Sequence, residues 1–158
     1  KGEVAVAEEI RDYIIIRTAW LYGAGGKNFV DTIRGLVRER EELSVVNDQH
    51  GSPTYTMHLA AAISRVVRMY AEKGMGKPGI YHITGDGVCT WYDFAKKIAG
   101  LEPGKVKTIH PVSTEEFPRP APRPRYSVLN NEKVKKQFGV AMPHWEDALS
   151  EYISRRPL

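Results

Sequence analysis

Residues 14–29 read IIIRTAWLYGAGGKNF, an apolar run that passes into a polar, glycine-rich loop and then into the start of a helix. β-Branched residues favour strands, and glycine permits the tight backbone of the loop that follows. In open α/β sheets, ligands bind beyond the carboxyl ends of the strands. The stretch therefore predicts a strand that ends at a ligand site, where Thr18, Trp20 and Asn28 supply polar and aromatic groups.

A second stretch has the same form. Residues 43–46 read LSVV, and the polar loop DQHGSPT follows at residues 48–54. Two strand-to-loop edges that carry polar, aromatic and glycine residues indicate a binding site rather than scaffolding alone.

The spacing of apolar residues predicts helices that alternate with short strands. The predicted helices cover residues 2–10, 28–40, 56–72, 90–99, 131–138 and 144–153, and the predicted strands 13–17, 43–46, 80–84 and 105–110. Thr56 is predicted as a helix N-cap, and Thr90 with Asp93 as a capping box. Five prolines make residues 111–124 an extended or turn-rich connection. Strand–helix alternation predicts an α/β fold of mainly parallel strands with flanking helices.

The composition indicates one globular domain. The chain has 158 residues, of which 42% are hydrophobic and 27% charged, so a disordered chain is not expected. It contains no apolar run of about 18 residues, so no membrane partner is predicted. The lone Cys89 cannot form an internal disulfide, which fits a reducing cytoplasm. The net charge of +4 mixes both signs along the chain, which favours an anionic small ligand over nucleic acid.

Several nucleotide and catalytic motifs are missing from the sequence. A P-loop would need glycine where Leu21 stands and Ser or Thr where Asn28 stands. No G-x-G-x-x-G lies between a strand and a helix, and no G-x-S-x-G is present. The histidines and Cys89 lack metal-ligand spacing, so no metal is expected.

Some residues allow two interpretations. The glycine loop is either a flexible connection or an anion site at the N-terminus of the helix headed by Asn28, and Trp20 on the same loop favours the anion site. Arg123 either forms an exposed ion pair or clamps a diphosphate with its planar guanidinium. Trp91 and Trp145 lie in helical stripes and are predicted to be core residues.

A set of short motifs resembles one enzyme family. The motifs are RTAWLYG at 17–23, NF at 28–29, DQxGxPT at 48–54, GIYH at 79–82, TWYDFA at 90–95 and RPxxSxL at 123–129. In this order they resemble dTDP-4-dehydrorhamnose reductases, which are extended short-chain dehydrogenases. The resemblance covers essentially all of residues 1–158, as a single substrate-binding portion, but only the carboxyl-terminal half of the family's enzymes.

The resemblance implies that the catalytic groups lie outside this sequence. The family's enzymes begin with a Rossmann half that binds NADPH or NADH, and their Tyr-x-x-x-Lys is followed closely by Gly-Glu. Gly2-Glu3 resembles that pair, so the catalytic tyrosine and lysine would precede residue 1, and Lys1 would not be that lysine. The chain alone is therefore expected to have no catalytic residue, no bound cofactor and no reductase activity.

The resemblance also implies roles for residues of this chain. Thr18 and Ala19 would border the nicotinamide, and Trp20 would pack on the deoxysugar. The groups that would hold the nucleotide and diphosphate are Asn28, Phe29, Gln49, Gly51, Pro53, Thr54 and Arg123. Some bacterial members bind magnesium through a glutamate where this chain has Met57, so a metal-bridged dimer is not implied.

Two functions remain open. The first is the substrate-binding half of an oxidoreductase that converts dTDP-4-dehydro-6-deoxy-L-mannose (dTDP-6-deoxy-L-lyxo-4-hexulose) with NAD(P)H to dTDP-L-rhamnose, for cell-surface polysaccharide synthesis. The second is a non-catalytic binding protein similar to the regulatory subunit of methionine adenosyltransferase. The expected partners are a dTDP-sugar and the amino-terminal half. A sheet edge left open without that half also favours a homodimer.

Overall fold

A computed structural model describes residues 1–74, 77–117 and 121–156 of the chain. Within these ranges the helices are α1 (Gly2–Glu9), α2 (Phe29–Glu39), α3 (Thr56–Lys73), α4 (Trp91–Leu101), α5 (Glu132–Phe138) and α6 (Trp145–Ser154). The strands are β1 (Ile14–Arg17), β2 (Leu21–Tyr22), β3 (Glu42–Val46), β4 (His50–Gly51), β5 (Thr54–Tyr55), β6 (Gly79–His82), β7 (Cys89–Thr90) and β8 (Thr108–Val112).

Most strands pair in parallel. β1 pairs with β6, β2 with β5, and β3 with β8 in the parallel sense, whereas β4 and β7 are antiparallel. The prediction of an α/β fold with mainly parallel strands and flanking helices is therefore confirmed. The strands form separate pairs rather than one continuous sheet among the described residues. The two-residue strands β2, β4, β5 and β7 lie outside the predicted strands, because two residues are too few to show a periodic pattern.

The boundaries depart from prediction at two places. The prediction of Thr56 as an N-cap is wrong, because Tyr55 occupies that position with extended backbone and Thr56 is the first residue of α3. β8 continues through Pro111, which stands opposite Val45 of β3. Proline is tolerated there because β8 has one neighbouring strand within the part of the chain that the structure describes. The predicted capping box of Thr90 and Asp93 is confirmed.

Two hydrophobic clusters form the core. The larger one joins α2, α4 and α6 and includes Phe94, Leu149 and Trp145, whose predicted core position is confirmed. The smaller one packs α3 and α5 against β6 around Val66 and Phe138. Cys89 is buried in the larger cluster, and this burial raises the pKa of its thiol to about 12. Across the described segments, every helix is too short or too polar to cross a membrane.

Two of the ion pairs that connect helices to the rest of the fold show the contrast between surface and interior. At the surface, Arg17 at the end of β1 donates from Nε to Glu3 Oε1 of α1 over 2.8 Å. In the interior, Arg34 of α2 is 3% exposed and lies against Glu102, which is 8% exposed. Arg34 Nε donates to Glu102 Oε1 over 2.5 Å, while Arg38 Nη2 reaches the other carboxylate oxygen at 3.5 Å. This pair fixes the middle of α2 relative to the end of α4.

We expect the substitution Arg34→Met to lower the free energy of unfolding by about 3 kcal/mol, because Glu102 would stay buried without its close partner. Lys107→Met is the matched control, since the Lys107–Glu41 pair is exposed and is worth less than about 1 kcal/mol. Urea denaturation of both variants measures the difference. Equal losses in the two variants would contradict a structural role for the buried pair.

Candidate functional site

Two adjoining cavities lie beyond the carboxyl ends of β1 and β3. The large cavity encloses about 500 Å³ between the start of α2, β3 and the segment that carries Phe117. The small cavity encloses about 260 Å³ beside Ala19 and Trp20. Three residues line both cavities: Gln49, Trp91 and Arg123. The cavities adjoin the two strand-to-loop edges at which the sequence predicts a ligand site, which makes them the candidate for that site.

Trp20 is the most constrained residue of the site. Its backbone has a φ of 49°, a left-handed conformation that a residue with a Cβ rarely adopts. Its indole stacks on that of Trp91, with ring centroids 3.5 Å apart and planes inclined by 7°. Gly51 lies against the ring, and a Cβ at that position would overlap it. The Trp20 carbonyl accepts a hydrogen bond from Thr54 N over 3.0 Å, so neighbouring segments hold the strained conformation.

Trp91 was not among the predicted site residues, and its predicted core position is only partly correct. On one side its ring packs against the core, with its centroid 4.6 Å from that of the Phe29 ring. On the other side the ring lines both cavities. The signal for this was the capping box, because it places Trp91 at the first position of α4, next to the loop that precedes the helix. Together Phe29, Trp91 and Trp20 form an aromatic wall, suited to a flat base or to the apolar face of a sugar.

Asn28 is the N-cap of α2 and borders the large cavity. Its Oδ1 accepts from Asp31 N over 3.0 Å, and its Nδ2 donates to Gly23 O over 3.0 Å and to Asp31 Oδ2 over 2.9 Å. The side-chain amide is thus engaged within the protein and closes the glycine loop. What this segment offers a ligand is the partial positive charge at the N-terminus of α2.

A hydrogen-bonded network around the buried Tyr152 connects this helix start to residues near position 152. Tyr152 of α6 is fully buried and donates its hydroxyl to the Asp31 carboxylate over 2.9 Å. Arg156 Nη1 donates to the Tyr152 hydroxyl over 2.7 Å and to Asp31 Oδ2 over 3.1 Å. The last helix therefore fixes the loop at the rim of the large cavity.

The remaining predicted site residues fall into two groups. Ala19, Gln49 and Arg123 line the cavities, and Arg123 is exposed there. Pro53 and Thr54 are buried and line neither of them. Thr54 Oγ1 donates to Ser52 O over 3.1 Å and accepts from Gly85 N over 3.0 Å, so its hydroxyl supports the loop.

Thr18 has an unpaired hydroxyl. Its Oγ1 is buried directly after β1 and has no hydrogen-bond partner among the described residues. A buried polar atom without a partner costs free energy, and a ligand group would remove that cost. Thr18 thus has an unpaired hydroxyl, and Ala19 beside it lines the small cavity; their predicted place beside a cofactor stays a prediction.

The charge at the site favours an anion. Of the described residues that line the large cavity, Lys27 and Arg123 are cationic and none is a carboxylate. Within the described ranges, no three His, Cys, Asp or Glu side chains come together as a metal site. The arrangement fits an anionic ligand that also carries ring systems.

Comparison with known proteins gives this arrangement a family. The chain matches the family model described as the RmlD substrate binding domain over residues 1–157. It is 43% identical over 155 residues to the spore coat polysaccharide biosynthesis protein SpsK of Bacillus subtilis, covering 98% of this chain and 52% of that protein. It is 38% identical over 162 residues to the dTDP-4-dehydrorhamnose reductase of Escherichia coli K12, covering 97% of this chain and 52% of the reductase.

Solved structures agree with these matches. The dTDP-4-dehydrorhamnose reductase of Bacillus anthracis, in complex with NADP, is 41% identical with a TM-score of 0.88, covering 98% of this chain and 53% of that one. The Clostridium acetobutylicum orthologue is 45% identical with a TM-score of 0.86, and the match covers 98% of this chain and 52% of the orthologue. The chain thus spans about half the length of the relatives that it matches.

We expect Asn28→Ala to lower the free energy of unfolding by about 1 kcal/mol, because α2 would lose its side-chain cap. Asn28→Ser keeps a capping oxygen and should recover most of the loss. Thermal or urea unfolding of both variants measures the change in the free energy of unfolding. A serine variant as unstable as the alanine variant would show that the cap is not the source of the effect.

Proposed function

The chain belongs to the RmlD substrate-binding domain family, and from that membership we propose that it forms the dTDP-sugar-binding half of a dTDP-4-dehydrorhamnose reductase. The whole enzyme would reduce the C4 keto group of dTDP-4-dehydro-6-deoxy-L-mannose with NAD(P)H and release dTDP-L-rhamnose. Relatives of that name support the proposal at 38–39% identity. The observation that carries it is the pair of cavities that meet at Gln49, Trp91 and Arg123.

This pair of cavities corresponds to the parts of a nucleotide sugar, which has a base and a sugar ring on either side of a diphosphate. In the proposal, the thymidine lies in the large cavity along Phe29 and Trp91. The deoxysugar lies in the small cavity against Trp20. Arg123 lines both cavities and would bind the diphosphate between them, since a guanidinium can donate two parallel hydrogen bonds to phosphate oxygens.

The chemistry of the reaction divides between the two halves of the enzyme. The nicotinamide, when bound, supplies a hydride to C4, and NADP in the Bacillus anthracis relative supports NADPH as its source. Thr18 and Ala19 would border that ring and the hydroxyl of Thr18 would bind its polar edge. Trp20 would orient the sugar and shield it from water. The acid that protonates the product oxygen is proposed to lie in the Rossmann half.

The proposed location of the whole enzyme is the cytoplasm.

The diphosphate assignment predicts that Arg123→Ala weakens dTDP binding about tenfold or more, because a charged hydrogen-bond pair is worth about 1.5–3 kcal/mol. Arg125→Ala is the matched control, since Arg125 pairs with Glu115 over 2.9 Å and lines neither cavity. Isothermal titration calorimetry with dTDP and with thymidine makes the test. Thymidine affinity should be equal in both variants. An Arg123 variant that binds dTDP like the Arg125 variant would contradict the assignment.

The division of chemistry predicts that this chain alone does not oxidise NADPH in the presence of the 4-keto sugar nucleotide. A protein that joins it to the Rossmann half of a relative should do so, and Trp20→Ala in that protein should lower kcat/KM by about tenfold or more. NADPH absorbance measures both. Turnover by the chain alone would overturn the assignment of the acid. Binding of dTDP without turnover by the joined protein would favour the non-catalytic binding function.

A further inference from the structure

Gln49 is the buried polar side chain that faces both cavities. It is 6% exposed and lines the large and the small cavity. The oxygen of an amide accepts hydrogen bonds and its nitrogen donates them. A buried amide therefore selects between donor and acceptor groups of a ligand only when its orientation is fixed. The neighbours of Gln49 make that distinction.

A short chain of hydrogen bonds fixes the amide. Thr114 Oγ1 donates to Asp48 Oδ1 over 2.6 Å, and Thr114 N donates to Asp48 Oδ2 over 3.2 Å. An ionised carboxylate only accepts, and the bond from Thr114 holds the pKa of Asp48 below its usual range. The single hydroxyl proton of Thr114 is therefore committed to Asp48, and its oxygen accepts from Gln49 Nε2 over 3.0 Å.

We propose that Thr114, held by Asp48, is a positioning residue that fixes the Gln49 amide with its nitrogen turned toward Thr114 and its carbonyl oxygen left for the ligand. This inference rests on the proposed function and adds a selection rule to it. The site would favour a ligand that presents a donor to Gln49, either a sugar hydroxyl or a ring N–H. A ligand with an acceptor at that place would leave two oxygens facing each other and would be rejected.

The same contact positions one end of the large cavity. Thr114 begins a turn that closes when Phe117 N donates to Thr114 O over 3.2 Å, and Phe117 lines the large cavity. Thr114→Val could thus weaken binding through Gln49 or through a displaced turn. The experiment has to separate these two routes.

The test is a double-mutant cycle at Thr114 and Gln49, read by calorimetric titration of the full chain with dTDP and with dTDP-glucose. Thr114→Val should weaken binding about tenfold, whereas Thr114→Ser keeps the hydroxyl and should bind within about twofold of the unaltered chain. In the Gln49→Ala background, Thr114→Val should change nothing further. Equal losses in both backgrounds would overturn the inference, because the turn would then be responsible.

The ligands identify the donor that Gln49 accepts. A loss with dTDP places that donor on the nucleoside, and a loss confined to dTDP-glucose places it on the hexose; either result supports the inference. Unchanged binding of both ligands by Thr114→Val, while the unaltered chain binds them, overturns it and leaves the proposed function intact. If the unaltered chain binds neither ligand, the proposed function fails first and the inference fails with it. Thr114→Ala serves as a second variant should the valine variant unfold.

Discussion

The contact between Trp20 and Trp91 is the interaction on which the site depends. It brings the connection between β1 and β2 against the start of α4, and Gly51 of β4 allows it by leaving room for the indole. The left-handed backbone at Trp20 costs free energy, and the stacked ring and the bond from Thr54 offset that cost. Without this contact the two cavities would lose the wall that they share.

The site is largely formed before any ligand arrives. The polar side-chain atoms of Asn28 and Thr54 form hydrogen bonds within the protein, and these bonds hold the loops that the ligand would contact. Thr18, Gln49 and Arg123 are then the side chains left to bind polar groups in our proposal. Because the surrounding loops are already ordered, binding needs little further ordering of the chain.

The sequence predicted the class of fold, whereas the location of the ligand site and the roles of its single residues stay predictions. Helix bounds and the two strand-to-loop edges follow from local patterns, so they could be read directly. The half-exposed position of Trp91 depends on how the start of α4 meets the loop that carries Trp20, and no local pattern contains that. The hydrogen bond between Asp31 and Tyr152 joins residues that are 121 positions apart in the sequence. The bond between Gln49 and Thr114 joins residues that are 65 positions apart. Contacts at such separations are set by the tertiary fold and have no signature in spacing.

The network of Asp31, Tyr152 and Arg156 has a consequence for the order in which the protein is made. A ribosome completes α2 long before α6, so the contact between Asp31 in the first turn of α2 and Tyr152 can form only after α6 has been made. The rim of the large cavity is thus finished by residues near position 152. A nascent chain that stops short of them would carry nearly all the residues that line the cavity and still lack its defined shape. The shape of a cavity whose described lining residues all precede position 124 thus depends on contacts made by residues 152 and 156.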